Sequence, residues 1–228
     1  MSAQEPNSTQ ATQAPGKTLV QRAPQVAGNV LRQVLEFAID GNMTIPGAKA
    51  AAARSLQVRG DHESAVDSVI RQHVGLAGAQ GFLTNLGGLL TLPVALPANL
   101  AGLAVVQMRM IAAIAHLRGY DVNDRRVRSA LTLAMLGEDE VRKQVSSGKL
   151  PSTPLGVATA PVFDPVLEHA VSERVFGDLG TKMAGKHVVV QVAKRIPLVG
   201  GGVGAAADGY FTYALGQYAR REFVRRRG

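Results

Sequence analysis

The chain has no cysteine and no tryptophan, and aromatic residues make up only 4% of its 228 positions. Without thiols there is no disulfide, no thiolate metal site and no cysteine nucleophile, which fits a reducing, cytoplasmic compartment. With so few aromatics, the interior has to be built from Ala, Val, Leu and Ile, a composition that suits close helix packing better than a twisted sheet. Acids are scarce as well, with 17 Asp and Glu against 25 Lys and Arg, giving a net charge of +8 and a pI near 10.2. Such a balance attracts polyanions, either phosphate backbones or anionic lipid head groups.

The most informative scarcity is local. From Val74 to Met108 there is no Asp, Glu, Lys, Arg or His. Gly87, Gly88, Pro93 and Pro97 interrupt this stretch, so the sequence predicts two helical arms meeting at a Pro-bounded turn. The second arm, Ala98 to Arg118, is long enough for a membrane span at about 1.5 Å per residue, but Gln107 and Arg109 lie within it. It therefore reads as a hairpin that dips into or lies on a bilayer, with Phe82, Leu83, Leu86, Leu89, Leu90, Leu92, Leu96, Leu100 and Leu103 as the membrane-interacting side chains. The alternative is a core helix pair of a soluble bundle. A second interruption, Ile196-Pro197 followed by Gly200, Gly201, Gly202 and Gly204, reads as another hairpin turn before a C-terminal helix.

Elsewhere the signals are those of ordinary amphipathic helices. Val30, Val34, Leu35 and Ala38 recur at helical spacing, Pro46 opens an alanine-rich helix ending near Gly60, and Asp61 offers an N-cap for the next. Asp121 or Asp124 caps a helix ending at Gly137, Glu138 to Ser147 is a short charged helix, and Leu150 to Pro161 is a loop. Asp164-Pro165 starts a further helix, and a basic one follows from Lys186 to Arg195. Met1 to Pro24 is a mixture of Ser, Thr, Gln, Ala and Pro with no apolar segment, read as a disordered tail. The expected architecture is all-α: that tail over residues 1–24, then one helical bundle over 25–228 carrying two Gly/Pro-broken apolar hairpins.

Two kinds of charge stand out. Asp208 lies among small and apolar residues, with Gly204, Asp208, Thr212 and Gly216 at steps of four, a stripe that lets two backbones approach closely. A buried acid needs a partner, and Arg109, the lone charge of the first hairpin's second arm, is the expected one. Arginine follows both hairpins: Arg125, Arg126 and Arg128 after the first, Arg220, Arg221, Arg225, Arg226 and Arg227 after the second. These are the expected anionic-lipid contacts, each contributing on the order of 1 kcal/mol near an anionic leaflet. Nucleic acid is the less favoured polyanion, because base-stacking aromatics are not interleaved with the arginines.

Motifs of catalysis do not assemble. Gly200 to Ala205 formally spells G-x-G-x-x-G/A, but too few residues follow it for a dinucleotide fold. The histidines His62, His73, His116, His169 and His187 have no ligand spacing, and no serine sits in a nucleophile elbow. Neither a cofactor, a metal site nor a catalytic residue is expected.

The segment Phe82 to Asp121, above all GGLLTLPVALPANLAGLAVVQMRMIAAIAHLRGYD, together with IPLVGGGVGAAADGYF from Ile196 to Phe211, resembles the EcsC family of bacterial proteins. The resemblance implies a largely helical, membrane-associated protein and carries over no catalytic residue. Since the family is named for a protein encoded beside an ABC transporter, it also implies membrane lipids or such a membrane complex as partner. The expectation is a non-enzymatic accessory or scaffold protein, peripheral at the inner face of the cell membrane. A soluble helical homo-oligomer or a module binding a lipid-like ligand is the alternative.

Overall fold

Helix ends fall where the sequence supplies a cap or a left-handed residue. The computed structural model describes residues 32–42, 44–86, 92–175, 177 and 197–226, with backbone alone for 81–86, 92–101 and 197–203. Nine helices and no strand occur among the described residues: α1 (32–40), α2 (Ala48–Arg59), α3 (His62–Leu86), α4 (Leu92–Leu117), α5 (Arg125–Ala134), α6 (Glu138–Ser146), α7 (Pro154–Ala158), α8 (165–175) and α9 (Pro197–Glu222). The all-α expectation is therefore met. The expected tail and the basic helix at Lys186 to Arg195 lie outside the described residues.

Asp61 accepts the Ser64 amide at 2.8 Å and so starts α3, while Gly60, at φ 79°, turns the chain out of α2. Asp124 does the same for α5 through the Arg126 amide at 2.8 Å, and Asp164 starts α8 through Val166 at 2.9 Å. Two boundaries differ from expectation. The glycines Gly200 to Gly204 lie inside α9 and form no turn, and Pro97 lies inside α4. Glycine weakens an isolated helix by only about 1 kcal/mol per residue, which packing against a neighbour outweighs. The expected loop at Leu150 to Pro161 contains the short α7, which Thr153 caps.

Three long helices, α3, α4 and α9, frame the molecule with 25, 26 and 26 residues, each about 38 Å long. Gly78 of α3 faces Ala205 of α9, Val74 faces Gly209, Ile70 faces Gly216, and Asp67 pairs with Arg220, so α9 runs antiparallel to α3. A Cβ on Gly216 would lie 3.1 Å from Ile70 Cγ1 and Met110 Sδ, and this is the close approach the small-residue stripe implied. Gln80 of α3 meets Gly102 of α4, which makes that pair antiparallel too. Helix α2 lies across α3 and α4, and α5 with α7 pack around the far end. The core is aliphatic, as composition required: Val66, Val69, Ile70, Met108, Met110, Ile111, Ile114, Leu131 and Leu133 are buried, with Tyr120 and Phe223 as its aromatic pair.

Candidate functional site

Because α3 runs against both α4 and α9, the frame has two ends of opposite character. One gathers the start of α3 with the ends of α4 and α9. There Glu63 accepts both guanidinium nitrogens of Arg118 and, at 3.0 Å, Arg220, whose other nitrogen reaches Asp67 at 2.8 Å. Arg118 above all, with Arg220, holds the Glu63 carboxyl below its usual range. The adjoining turn is tied down as well: Glu222 accepts the Leu155 amide at 2.9 Å, the Arg226 amide donates to the Arg118 carbonyl at 2.9 Å, and Tyr120 meets Phe223 edge to face at 5.3 Å.

The other end gathers the last turns of α3 with the first turns of α4 and α9. Along α3 no charged side chain follows His73, along α4 none precedes Arg109, and along α9 none precedes Asp208. The three limits share one level, since Val74 adjoins Gly209 and Gln107 donates to Thr212 at 3.2 Å. At that level α9 turns aromatic side chains outward. Tyr210 is 69% exposed, Phe211 58% and Tyr213 50%, Tyr210 and Phe211 lie edge to face at 5.9 Å, and Leu76 of α3 is 46% exposed. Sequence reasoning missed this belt, although the crowding of Tyr210, Phe211 and Tyr213 in a chain so poor in aromatics was a usable signal.

The structure redistributes the residues singled out from sequence. Phe82, Leu83 and Leu86 lie on the last turns of α3, and Leu92, Leu96 and Leu100 on the first turns of α4, at the uncharged end; Leu89 and Leu90 lie outside the described residues. Leu103 is buried in the bundle and so is not available to lipid. No helix among the described residues is long and apolar enough to cross a membrane.

The arginines expected beside the hairpins lie instead at the opposite, charged end, and most are engaged there. Arg125 pairs with Glu168 at 3.1 Å and covers the Phe163 ring, Arg126 pairs with Asp124 and donates to the Ala160 carbonyl, and Arg128 donates to the Val122 carbonyl at 3.3 Å. Arg220 is held by Glu63 and Asp67, Arg221 by Glu138, and Arg226 lies over Tyr120, while Arg225 is exposed. Arg227 lies outside the described residues. The expected Arg109–Asp208 pair is not formed. Gln107 points to α9, and two further residues turn a helix by about 200°, which carries Arg109 to the opposite side, toward α2. Asp208 is buried on α9 near Thr212, one turn away.

Just below the aromatic level His73 is wholly buried, with Nδ1 donating to the Val69 carbonyl at 2.8 Å. Burial lowers its pKa to about 4, and the nearby Arg109 adds to the effect, so the ring is neutral at neutral pH. Among the described residues no three His, Asp or Glu side chains are grouped to hold a metal.

The sequence profile of the EcsC protein family matches residues 6–150. That match takes in α1 to α6, including the uncharged arms of α3 and α4, and stops before α9. No curated protein and no solved structure matches the chain.

Proposed function

We propose, from the premise that the chain belongs to the EcsC protein family, that it is a non-enzymatic accessory protein that seats the uncharged end of its bundle in one leaflet of a membrane. The observation that carries this reading is the shared level at which α3, α4 and α9 all lose charge, marked on the outside by Leu76, Tyr210, Phe211 and Tyr213. Aromatic residues with a polar edge suit the boundary between head groups and acyl chains.

The dimensions agree with one leaflet. From Pro197 to Ala207 the uncharged part of α9 rises about 17 Å, against a hydrocarbon core of about 30 Å for both leaflets, and on this reading Lys194 and Arg195, which precede Pro197 in the sequence, have to reach back to the head groups. Insertion of an end in this way requires no spanning helix. It also removes the C-terminal arginines from the role expected of them, since Arg220 stands about 18 Å beyond Asp208 along α9 and the screening length in physiological salt is about 8 Å. On this reading the protein is peripheral at the cytoplasmic face, anchoring or bracing a membrane complex such as a transporter.

Flotation with neutral and anionic vesicles tests it, comparing wild type with a Phe211→Asp, Tyr213→Asp variant, whose changes fall on exposed positions and leave the core intact. Salt-resistant co-flotation that the variant loses supports insertion. The same exposed aromatic face favours a second reading, a homo-oligomer or a module for a lipid-like ligand. A doubled or higher solution mass that the variant reduces to the monomer, with no flotation, would establish the homo-oligomer.

A further inference from the structure

A pocket of about 420 Å³ opens between α2, α3 and α4, lined by Pro46, Ala50, Ala51, Arg54, Gln72 and Arg109. Two of these residues are cations and none is an acid. Arg109 makes no ion pair and donates no hydrogen bond among the described residues, and its Nε is buried without a partner. A guanidinium taken partly out of water with nothing to bind is costly, and burial lowers its pKa for the same reason. Contrast Arg118, whose Nε is likewise unpartnered but whose two terminal nitrogens are met by the Glu63 carboxylate.

The remaining lining fits an anion that brings its own apolar part. Gln72 donates through Nε2 to Ser68 at 3.1 Å, which leaves its carbonyl oxygen and second amide hydrogen for the pocket, while Pro46, Ala50 and Ala51 offer an apolar wall. Helix α2 starts beside it with no acid in its first turn and no side chain capping its amides, so its dipole adds to the positive field. A planar fork such as guanidinium pairs best with a carboxylate or a phosphate. The position favours phosphate: Gln72 and Arg109 flank the uncharged stretch on α3 and α4, at the level where head groups would lie if the uncharged end sits in a leaflet.

We infer that this pocket binds a phosphate group, with Arg109 as the principal contact and Arg54 at its mouth. The site itself stands on the pocket and its two arginines, and only its assignment to a lipid head group rests on the membrane reading. The ligand is a phosphate monoester or diester, and the same chemistry is found in inorganic phosphate and in a phospholipid.

The experiment is titration calorimetry of the full chain with inorganic phosphate and with dihexanoyl phosphatidic acid kept below its micellar concentration, so that no bilayer is involved. Wild type, Arg109→Gln, Arg54→Gln and the Phe211→Asp, Tyr213→Asp variant are compared. Saturable binding weakened tenfold or more by Arg109→Gln and about threefold by Arg54→Gln, and unchanged in the aromatic variant, is expected. Arg109→Gln should melt no lower than wild type, because it removes an unpaired, partly buried charge. Tighter binding of the lipid than of phosphate assigns the site to a head group, and equal binding assigns it to free phosphate. No saturable binding of either probe, or binding that both arginine variants leave unchanged, overturns the site even if wild type floats with vesicles. Arginine-dependent binding by a protein that never floats retains the site and rejects the membrane reading.

Discussion

At the end where α3 begins and α4 and α9 finish, polar groups answer one another: Glu63 with Arg118 and Arg220, Arg220 with Asp67, Glu222 with the Leu155 amide. At the end where α3 finishes and α4 and α9 begin, the same three helices carry no charge and are bordered by outward aromatics. A bundle stabilised only by its own core would gain nothing from this asymmetry, since water solvates both ends alike. The difference is useful if the two ends meet different surroundings, and each prediction below changes one end and reads out both.

The largest effect should come from the aromatic border. Phe211→Asp with Tyr213→Asp removes two exposed side chains that insertion would bury at about 1.5–3 kcal/mol each, so on the proposed reading vesicle affinity should fall at least 100-fold while thermal stability stays near wild type. A loss of both together would mean that the belt belongs to the core.

Next is the buried histidine that closes the charged half. Folded His73 takes up a proton only near pH 4, whereas an unfolded one does so near 6.5. Its contribution is complete above pH 6.5 and is lost as pH falls from there to 4, on the order of 3 kcal/mol in all. Denaturant unfolding at pH 7, 5.5 and 4 should show this slope in wild type and a shallower one in His73→Leu.

At the charged end, Glu63→Gln leaves Arg118 buried without its carboxylate. Because Glu63 is itself half exposed, the expected loss is about 2 kcal/mol, less than for a fully buried pair. Flotation should not change, and a variant that melts early yet also loses membrane binding would show that the two ends are coupled.

The smallest effect concerns α3. Gly75 has open space where a Cβ would stand, so Gly75→Ala should stabilise by about 0.5–1 kcal/mol through helix propensity alone. Gly216→Ala, crowded by Ile70 and Met110, should show no such gain.

Much of the frame was legible because its signals are local. Asp61, Asp124 and Asp164 each cap the helix that follows, and the absence of charge over Val74 to Met108 needs no partner to be seen. The second hairpin turn was not legible correctly: glycines Gly200 to Gly204 carry a turn signal by composition, yet they lie within α9, a helix that packs along α3. The C-terminal arginines misled for a different reason. Arg221 finds Glu138 across 83 positions and Arg220 finds Asp67 across 153, separations at which charge patterning says nothing. For Arg109 and Asp208 the placement among apolar neighbours was readable, but the rotation of α4 that sends Arg109 toward α2 was not.

The central claim is that one end of the bundle lies in a leaflet and the other in water, and the absence of cysteine makes it directly measurable. Single spin labels would be placed at Leu96→Cys, Phe211→Cys and Arg225→Cys in vesicle-bound protein, and their accessibility compared for oxygen, which concentrates in the bilayer, and a water-soluble relaxant. The account predicts oxygen-dominated relaxation at position 96, intermediate values at 211 and fully aqueous values at 225. Aqueous values at all three positions, or a deeper label at 225 than at 96, would contradict it.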